Sequence, residues 1–429
     1  MEKGDKDVKK VLKKTRAGIF DFSEKKIVSK ILKIKDKRFI KNLSKIELNL
    51  ISMTYHAIHD LLKHSFPKSN KESWAGAAAK EIQGKNPFET LAWQSEDQIN
   101  FFPYYNKQDV ENLNYLTNFP HLPSKVVNGS PREWKNLPFI SVVDFQFAND
   151  VALNHLQNGA DGIVFDIRQL KTVDINILLA EINWTYCDVS FFITSDQICH
   201  SLIEFVRKKN YPETKLEGML LWETSPQIDH PFLKSFSRFE KFRVLGLYIP
   251  SSSPVSEISD ALLKIVKLMD VLTDNGFDKK YIWSNLSLSC SIGSDFLGEI
   301  AKLHALRFLL YQMAHAFGIA DYRFMDFRIH CRSEQKVQEK FEPHSNLLRG
   351  TFAALSAVAG GCDSLSIQPE DENNAMLNRI ARNVSNIIRE ESYLNQVSNP
   401  IAGSYAIESM IDQIAQAAWI DFQQKLQSA

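Results

Sequence analysis

From residue 137 onward, short apolar runs of strand character alternate with longer stretches of helical spacing, and no other feature of the chain limits its fold as strongly. The runs are 137–145 (LPFISVVDF), 160–167 (ADGIVFDI), 187–194 (CDVSFFIT), 216–223 (LEGMLLWE), 242–249 (FRVLGLYI), 283–292 (WSNLSLSCSI), 323–330 (RFMDFRIH) and 362–368 (CDSLSIQ). Helical segments such as 253–275 and 294–318 lie between them. Eight strand–helix units in this length predict an α/β fold, a (β/α)8 TIM barrel more than an open sheet. No GxGxxG or GKS/GKT loop follows any of these runs, which removes the main dinucleotide-binding and P-loop alternatives.

The cleanest single repeat is His344–Leu394. Leu348, Phe352, Leu355 and Val358 recur at helical spacing, and Gly360-Gly361 stops that helix where a positive φ is wanted. Cys362–Gln368 then alternates, with Ser364, Ser366 and Gln368 on one side and Leu365 and Ile367 on the other. Leu377, Ile380, Ala381, Val384, Ile387 and Ile388 form the apolar stripe of the next helix.

One barrel feature is unusual. The run Leu286-Ser287-Leu288-Ser289-Cys290-Ser291-Ile292 repeats the serine alternation seen at Ser364, Ser366 and Gln368. Barrel interiors are normally filled by Val, Ile and Leu. A serine-lined interior leaves polar, unfilled volume such as a long hydrophilic ligand threading the barrel would need, which makes Ser287, Ser289, Ser291, Ser364, Ser366 and Gln368 candidate substrate-binding residues. The alternative, that these side chains face helices and bond to backbone, stays open.

Ahead of the barrel, residues 71–83 predict a short helix with Gly84 as its C-cap. A dense run of aromatic residues and prolines follows, from Pro87 to Tyr105. It reads either as a packed lead-in or as an extended segment lying on another surface. In the second case Trp93, Phe101, Phe102, Tyr104 and Tyr105 are the candidate partner interface.

Charge divides the chain. Lysine plus arginine and aspartate plus glutamate are both 51, yet residues 1–50 hold 16 basic and 7 acidic residues. The rest is therefore net acidic, which argues against nucleic acid as a partner. Residues 1–65 read as a solvated basic extension, as sequence ahead of a true start at Met53, or as a binding arm. Five scattered cysteines with no CxxC or zinc spacing predict reduced thiols, no metal and a cytoplasmic setting. No run of about 18 apolar residues predicts a membrane span.

Several segments taken together resemble the methylmalonyl-CoA mutase family. They are Gly293–Arg307 (GSDFLGEIAKLHALR), Asn346–Thr351 (NLLRGT), Gly360–Leu365 (GGCDSL), Arg379–Asn383 (RIARN) and Asn399–Tyr405 (NPIAGSY). Phe66-Pro67, Trp74, Gly84, Leu91, Trp93 and Pro103-Tyr104-Tyr105 match that family's lead-in, so the resemblance runs from about residue 66 to the end. Behind the basic extension over 1–65, it implies a lead-in or subunit-interaction segment over 66–136 and a mutase-type barrel over 137–429. Active members carry a TIRQY-type segment, a GYH-type histidine and a cobalamin domain with DxHxxG. This sequence has Gly129-Ser130-Pro131-Arg132-Glu133-Trp134 in place of the first, and neither GYH nor DxHxxG.

The resemblance is closest to the small, non-catalytic subunit of the heterodimeric bacterial enzyme. It implies no catalytic residue and no cofactor bound by this chain. Adenosylcobalamin would reside in a homologous large catalytic subunit. Two alternatives stay open: a catalytic barrel working with a separate cobalamin-binding chain, and a barrel that binds an acyl-CoA or a partner alone. Glu299, Lys302, Arg307, Arg379 and Arg382 are expected to fix helices to the barrel through ion pairs.

Overall fold

The computed structural model describes residues 70–113, 115–116, 133–224, 230–323, 326–333 and 345–428. The basic segment 1–65, Met53, Phe66-Pro67 and positions 129–132 lie outside them. The chain divides into two compact units, Met1–Trp74 and Ala75–Ala429, and the second carries the barrel. The helix Lys71–Glu81 opens at Asn70, whose side chain accepts from Ser73 N.

Among the described residues eight parallel strands form the barrel. β1 is split into Lys135–Asn136 and Phe139–Ser141. β2 is Gly162–Asp166, β3 Asp188–Ile193, β4 Glu217–Trp222 and β5 Lys241–Ile249. β6 is Leu286–Ile292, β7 Arg328–Ser333 and β8 Ser364–Ser366. The two pieces of β1 stand at opposite ends of the strand order, one beside β8 and the other beside β2. Only Leu137-Pro138 separates them, so the sheet closes on itself. Leu137 N donates to Leu365 O on β8, while Pro138 O accepts from Val164 N on β2. Pro138 interrupts the strand because it has no N–H to donate.

The helices are α1 Phe145–Gln157, α2 Ile175–Leu178, α3 Gln197–Lys208, α4 His230–Ser235 and α5 Pro254–Asp274. They continue with α6 Lys279–Asn285, α7 Phe296–Ala316, α8 Ser345–Gly360, α9 Ala375–Glu390 and α10 Tyr405–Ser428. α7 packs against both α8 and α10 and is buried nearly all round, which explains why its sequence lacks a polar face. Gly361, at φ +97°, ends α8 where a side chain would be strained.

Alternate strand residues separate two layers. Ile163, Phe165, Phe191, Leu220, Trp222, Leu288, Cys290, Ile329 and Leu365 face the helices in one large core. Leu137, Phe139, Val164, Phe192, Met219 and Leu221 form a second, smaller cluster inside the barrel.

Two strands differ from expectation. Residues 279–285 form α6, capped by Asp278, so β6 begins only at Leu286. β7 runs from Arg328 to Ser333 rather than over 323–330. The apolar run ahead of it mimicked a strand, and Phe327 in fact packs edge-on against Trp283. All five cysteines are free. No helix among the described residues is long and apolar enough to cross a membrane.

Candidate functional site

The barrel interior has two unlike halves. Strands β1 to β4 contribute the apolar cluster, joined by Tyr248 of β5. Phe192 meets Tyr248 edge-on at 4.9 Å and Phe139 at 6.3 Å between ring centroids. Strands β6 to β8 contribute Ser287, Ser289, Ser291, His330, Ser364 and Ser366, all buried. Their placement follows from parity, since Leu286, Leu288, Cys290 and Ile292 face the helices.

His330 organises the polar half. It lies in register with Ser289 on one side and Ser364 on the other. Its Nδ1 is 3.0 Å from Ser364 Oγ and its Nε2 is 3.3 Å from Ser366 Oγ. Ser366 Oγ donates to Leu137 O, so it receives the His330 Nε2 proton, and Nδ1 accepts from Ser364. Burial, reinforced by Arg332, pushes the imidazole pKa down to about 3, so the ring is neutral at physiological pH. Gln368 lies beyond the end of β8, with its N–H on Ser333 Oγ at 2.9 Å.

Charged groups stand at both ends. At the start of the strands, Lys135 bonds to Glu217 and lies 3.3 Å from Asp188. Lys241 meets Glu217 at 2.8 Å, and Arg328 lies 3.6 Å from Asp188. Burial raises the Glu217 carboxyl, but the Lys135 and Lys241 ammonium groups outweigh it and hold the pKa at about 2. At the carboxyl ends, Arg168 grips Asp166 through Nε at 2.9 Å and Nη2 at 2.8 Å, and also bonds to Glu223. Its guanidinium lies 3.9 Å over the Phe192 ring, and that of Arg332 lies 4.3 Å over Phe139.

Behind the polar half, ions tie helix to barrel. Lys302 on α7 reaches Glu257 at 2.8 Å, Glu299 at 2.6 Å and Ser291 O at 2.8 Å. Burial alone would drive off its proton, and the two carboxylates hold it on. Arg307 donates to Gly361 O, Phe327 O and Asp363 Oδ2. Asp363 in turn accepts from Ile329 N at 2.8 Å. The AKLHALR and GGCDSL segments are thus two sides of one buried joint.

The five aromatic residues singled out ahead of the barrel meet in one groove. Trp93–Gln94 pairs antiparallel with Asn100–Phe101, and the Trp93 ring stacks on Phe101 at 3.9 Å. Phe102, Tyr104 and Tyr105 continue the wall, which Asp295, Leu297 and Tyr405 complete. Trp93 is 54% exposed and Phe102 45%, whereas Phe101 is buried. Gln413 of α10 holds the hairpin through Asn100 N at 3.1 Å.

Sequence reasoning missed His330, Arg332, Arg168 and the Lys135–Asp188–Glu217 set. The signal was present in Arg328, His330 and Arg332, spaced by two in FRIHCRS. Placing the strand over the preceding Phe-rich run hid it.

Fold and interior together define a barrel-type chain of the α/β class. The methylmalonyl-CoA mutase family model matches residues 173–427. The chain therefore belongs to the methylmalonyl-CoA mutase family. Among curated relatives, the methylmalonyl-CoA mutase small subunit of Porphyromonas gingivalis is 28% identical over 82% of this chain and 62% of its own length. The small subunit of Streptomyces virginiae is 32% identical over 86% and 65%. The methylmalonyl-CoA mutase of Cereibacter sphaeroides is 22% identical over 81% and 57%. The chain spans less than two thirds of the length of these relatives.

Proposed function

We propose that this chain is the small, non-catalytic subunit of a methylmalonyl-CoA mutase and supports a homologous large subunit that isomerises methylmalonyl-CoA and succinyl-CoA. The observation that carries this is the alignment of more than four fifths of the chain with relatives named as small subunits. The geometry supports a role without chemistry. Phe139, Phe192, Tyr248, Arg168 and Arg332 occupy the interior where a substrate would pass. The sequence holds no DxHxxG, the motif whose histidine ligates cobalt in active members of the family. Both ring nitrogens of His330 are bound to Ser364 and Ser366. His155 is buried beside Arg382, and His200 pairs with Glu204 on a helix surface. No catalytic step through that cofactor follows from these residues.

The aromatic groove is the surface we assign to the large subunit. An obligate interface of this kind buries more than about 2,000 Å². Co-expression with a large mutase subunit, followed by size-exclusion chromatography and turnover assays, tests the reading. The expected result is a complex that turns over and an isolated chain that does not. Trp93→Ala with Tyr104→Ala should weaken assembly by roughly 2 kcal/mol or more for each residue, with the chain still folded. Isomerisation of methylmalonyl-CoA by the isolated chain supplied with adenosylcobalamin would sink it.

A further inference from the structure

In the joint behind β6, two carboxylates share one ammonium. Lys302 Nζ reaches Glu257 at 2.8 Å, Glu299 at 2.6 Å and Ser291 O at 2.8 Å, which occupies all three of its N–H donors. The side chains of Lys302, Glu257 and Glu299 are only 2%, 5% and 12% exposed. With all three ionised, the joint carries one surplus negative charge away from water, and a buried charge without a counter-ion is costly. The neighbouring cations are held elsewhere. Arg307, further along α7, meets Asp363, Lys264 on α5 donates to Tyr248 O, and Lys425 on α10 meets Asp260 and Asp421. The acids of α10 that remain are also bonded, Glu408 by Tyr115 and Asp412 by Gln416. Two further titratable groups lie close by. Burial pushes the Cys290 thiol on β6 up to about 12, and His304 on α7 turns to α8, with Nε2 3.4 Å from Ala359 O.

The same two carboxylates also fasten turns. Glu257 Oε1 accepts from Ser252 N at 3.0 Å, ahead of α5, and Glu299 Oε1 accepts from Gly293 N at 2.9 Å, between β6 and α7. Both turns adjoin the aromatic groove. Val255 N, in the first turn of α5, donates at 3.0 Å to Asp97 Oδ2 in the bend of the Trp93–Phe101 hairpin. Asp295 and Leu297, just beyond Gly293, wall the groove itself.

We propose that the glutamate pair of this joint holds one proton in addition to those of the ammonium, and that losing it loosens both turns and the groove they carry. Glu257 is the more buried carboxyl and the seat of that proton. Burial raises it to about 7 despite Lys302, and Glu299 adds to the rise. Its ordinary value is 4.5, so the folded chain keeps the proton to higher pH than the unfolded chain does. The contribution to stability is therefore full below pH 4.5 and is lost as pH rises through about 7. Every group in the joint belongs to this chain, so its titration does not depend on a partner.

Infrared difference spectra of the full chain between about pH 6 and about pH 9 test for the proton directly. The expected result is a carboxylic-acid carbonyl band at the lower pH that vanishes at the higher. Glu257→Gln should lack it. Glu299→Gln should lack it too, because one carboxylate on one ammonium leaves no surplus charge. Urea unfolding gives the energetic counterpart. Relative to Glu257→Gln, the folding equilibrium constant of the unaltered chain should fall about fiftyfold from about pH 5 to about pH 8. Over the same range, hydrogen exchange corrected for intrinsic rate should show Ser252 and Gly293 losing protection in the unaltered chain and keeping it in Glu299→Gln. If Glu257→Gln fails to fold, the band in the unaltered chain and its loss in Glu299→Gln decide. Parallel pH profiles in the three chains overturn the proposal, as does a band that both variants retain or none in the unaltered chain. Steady protection of Ser252 and Gly293 while the proton leaves would overturn the link to the groove.

Discussion

The two halves of the barrel interior solve the same packing problem by different physics. On the β1–β4 side, Leu137, Phe139, Val164, Phe192, Met219 and Leu221 fill space with side chains that need no partner. On the β6–β8 side, small hydroxyls surround one histidine, and each polar atom must be satisfied or left orphaned. The layer outside each half compensates. Behind the apolar half lie further apolar groups, such as Trp184 edge-on to Phe242. Behind the polar half lie Lys302 with its two glutamates and Arg307 with Asp363. A polar interior thus coincides with an ionic outer joint, and stability on that side rests on geometry more than on buried area.

The apolar half should break most simply. Phe192→Ala removes a ring that touches Phe139, Tyr248 and Arg168 at once. A loss of about 3–5 kcal/mol is expected, measured by urea unfolding. On the other side, Lys302→Met leaves Glu257 and Glu299 buried without their cation and Ser291 O without its donor. This too should cost about 3–5 kcal/mol. A loss below about 1 kcal/mol there would mean that the ionic joint is not what holds β6 to α7.

The same contrast explains what could be read from sequence. Strands such as 162–166 and 188–193 were legible from the apolar runs Ile163-Val164-Phe165 and Phe191-Phe192-Ile193, which are buried on both faces. The serine alternation of β6 and β8 was legible as a pattern, and its inward face is where it lies. β7 was misplaced because Arg328, His330 and Arg332 put polar groups where a barrel strand should be apolar. The ion pairs of Lys302 and Arg307 were readable as types, but their partners Glu257 and Asp363 lie 45 and 56 residues away in sequence, beyond any local period. Arg379, expected among the same ties, is exposed on α9, whereas Arg382 reaches His155 at 3.3 Å. The five aromatic residues of the groove were chosen for composition alone. Their meeting depends on the hairpin at Trp93 and Phe101, which two-residue strands do not announce.

Smaller effects sharpen the polar half. Ser364→Ala removes the donor to His330 Nδ1 and leaves a buried acceptor unpaired. About 1–3 kcal/mol should be lost. At the opening of the strands, Glu217 is held near pKa 2, below its ordinary value of 4.5. A depressed carboxyl stabilises the fold above its unfolded pKa, and that contribution fades as pH falls from 4.5 towards 2. Because Glu217 is partly exposed, Glu217→Gln should cost at most about 1 kcal/mol at pH 7. The gap from the unaltered chain should close across that acid window in pH-dependent urea titrations. A gap that persists at pH 2 would place the effect in packing and not in charge.

The smallest expected change is the most discriminating. Ser287 is fully buried on β6, and its Oγ has no hydrogen-bond partner. It lies so near β5 that a Cβ added at Gly246 would sit 2.8 Å from that oxygen. Replacing a hydroxymethyl group whose hydroxyl is unsatisfied by a methyl group removes a desolvation cost of about 1–3 kcal/mol and gives up little contact. Ser287→Ala should therefore leave stability unchanged or raise it by up to about 1 kcal/mol, in contrast to Ser364→Ala two strands away. Chemical unfolding of the two variants side by side gives the comparison. If Ser287→Ala were as destabilising as Ser364→Ala, its hydroxyl must be bonded in solution. The polar half would then hold ordered water or ligand as far down the barrel as β5.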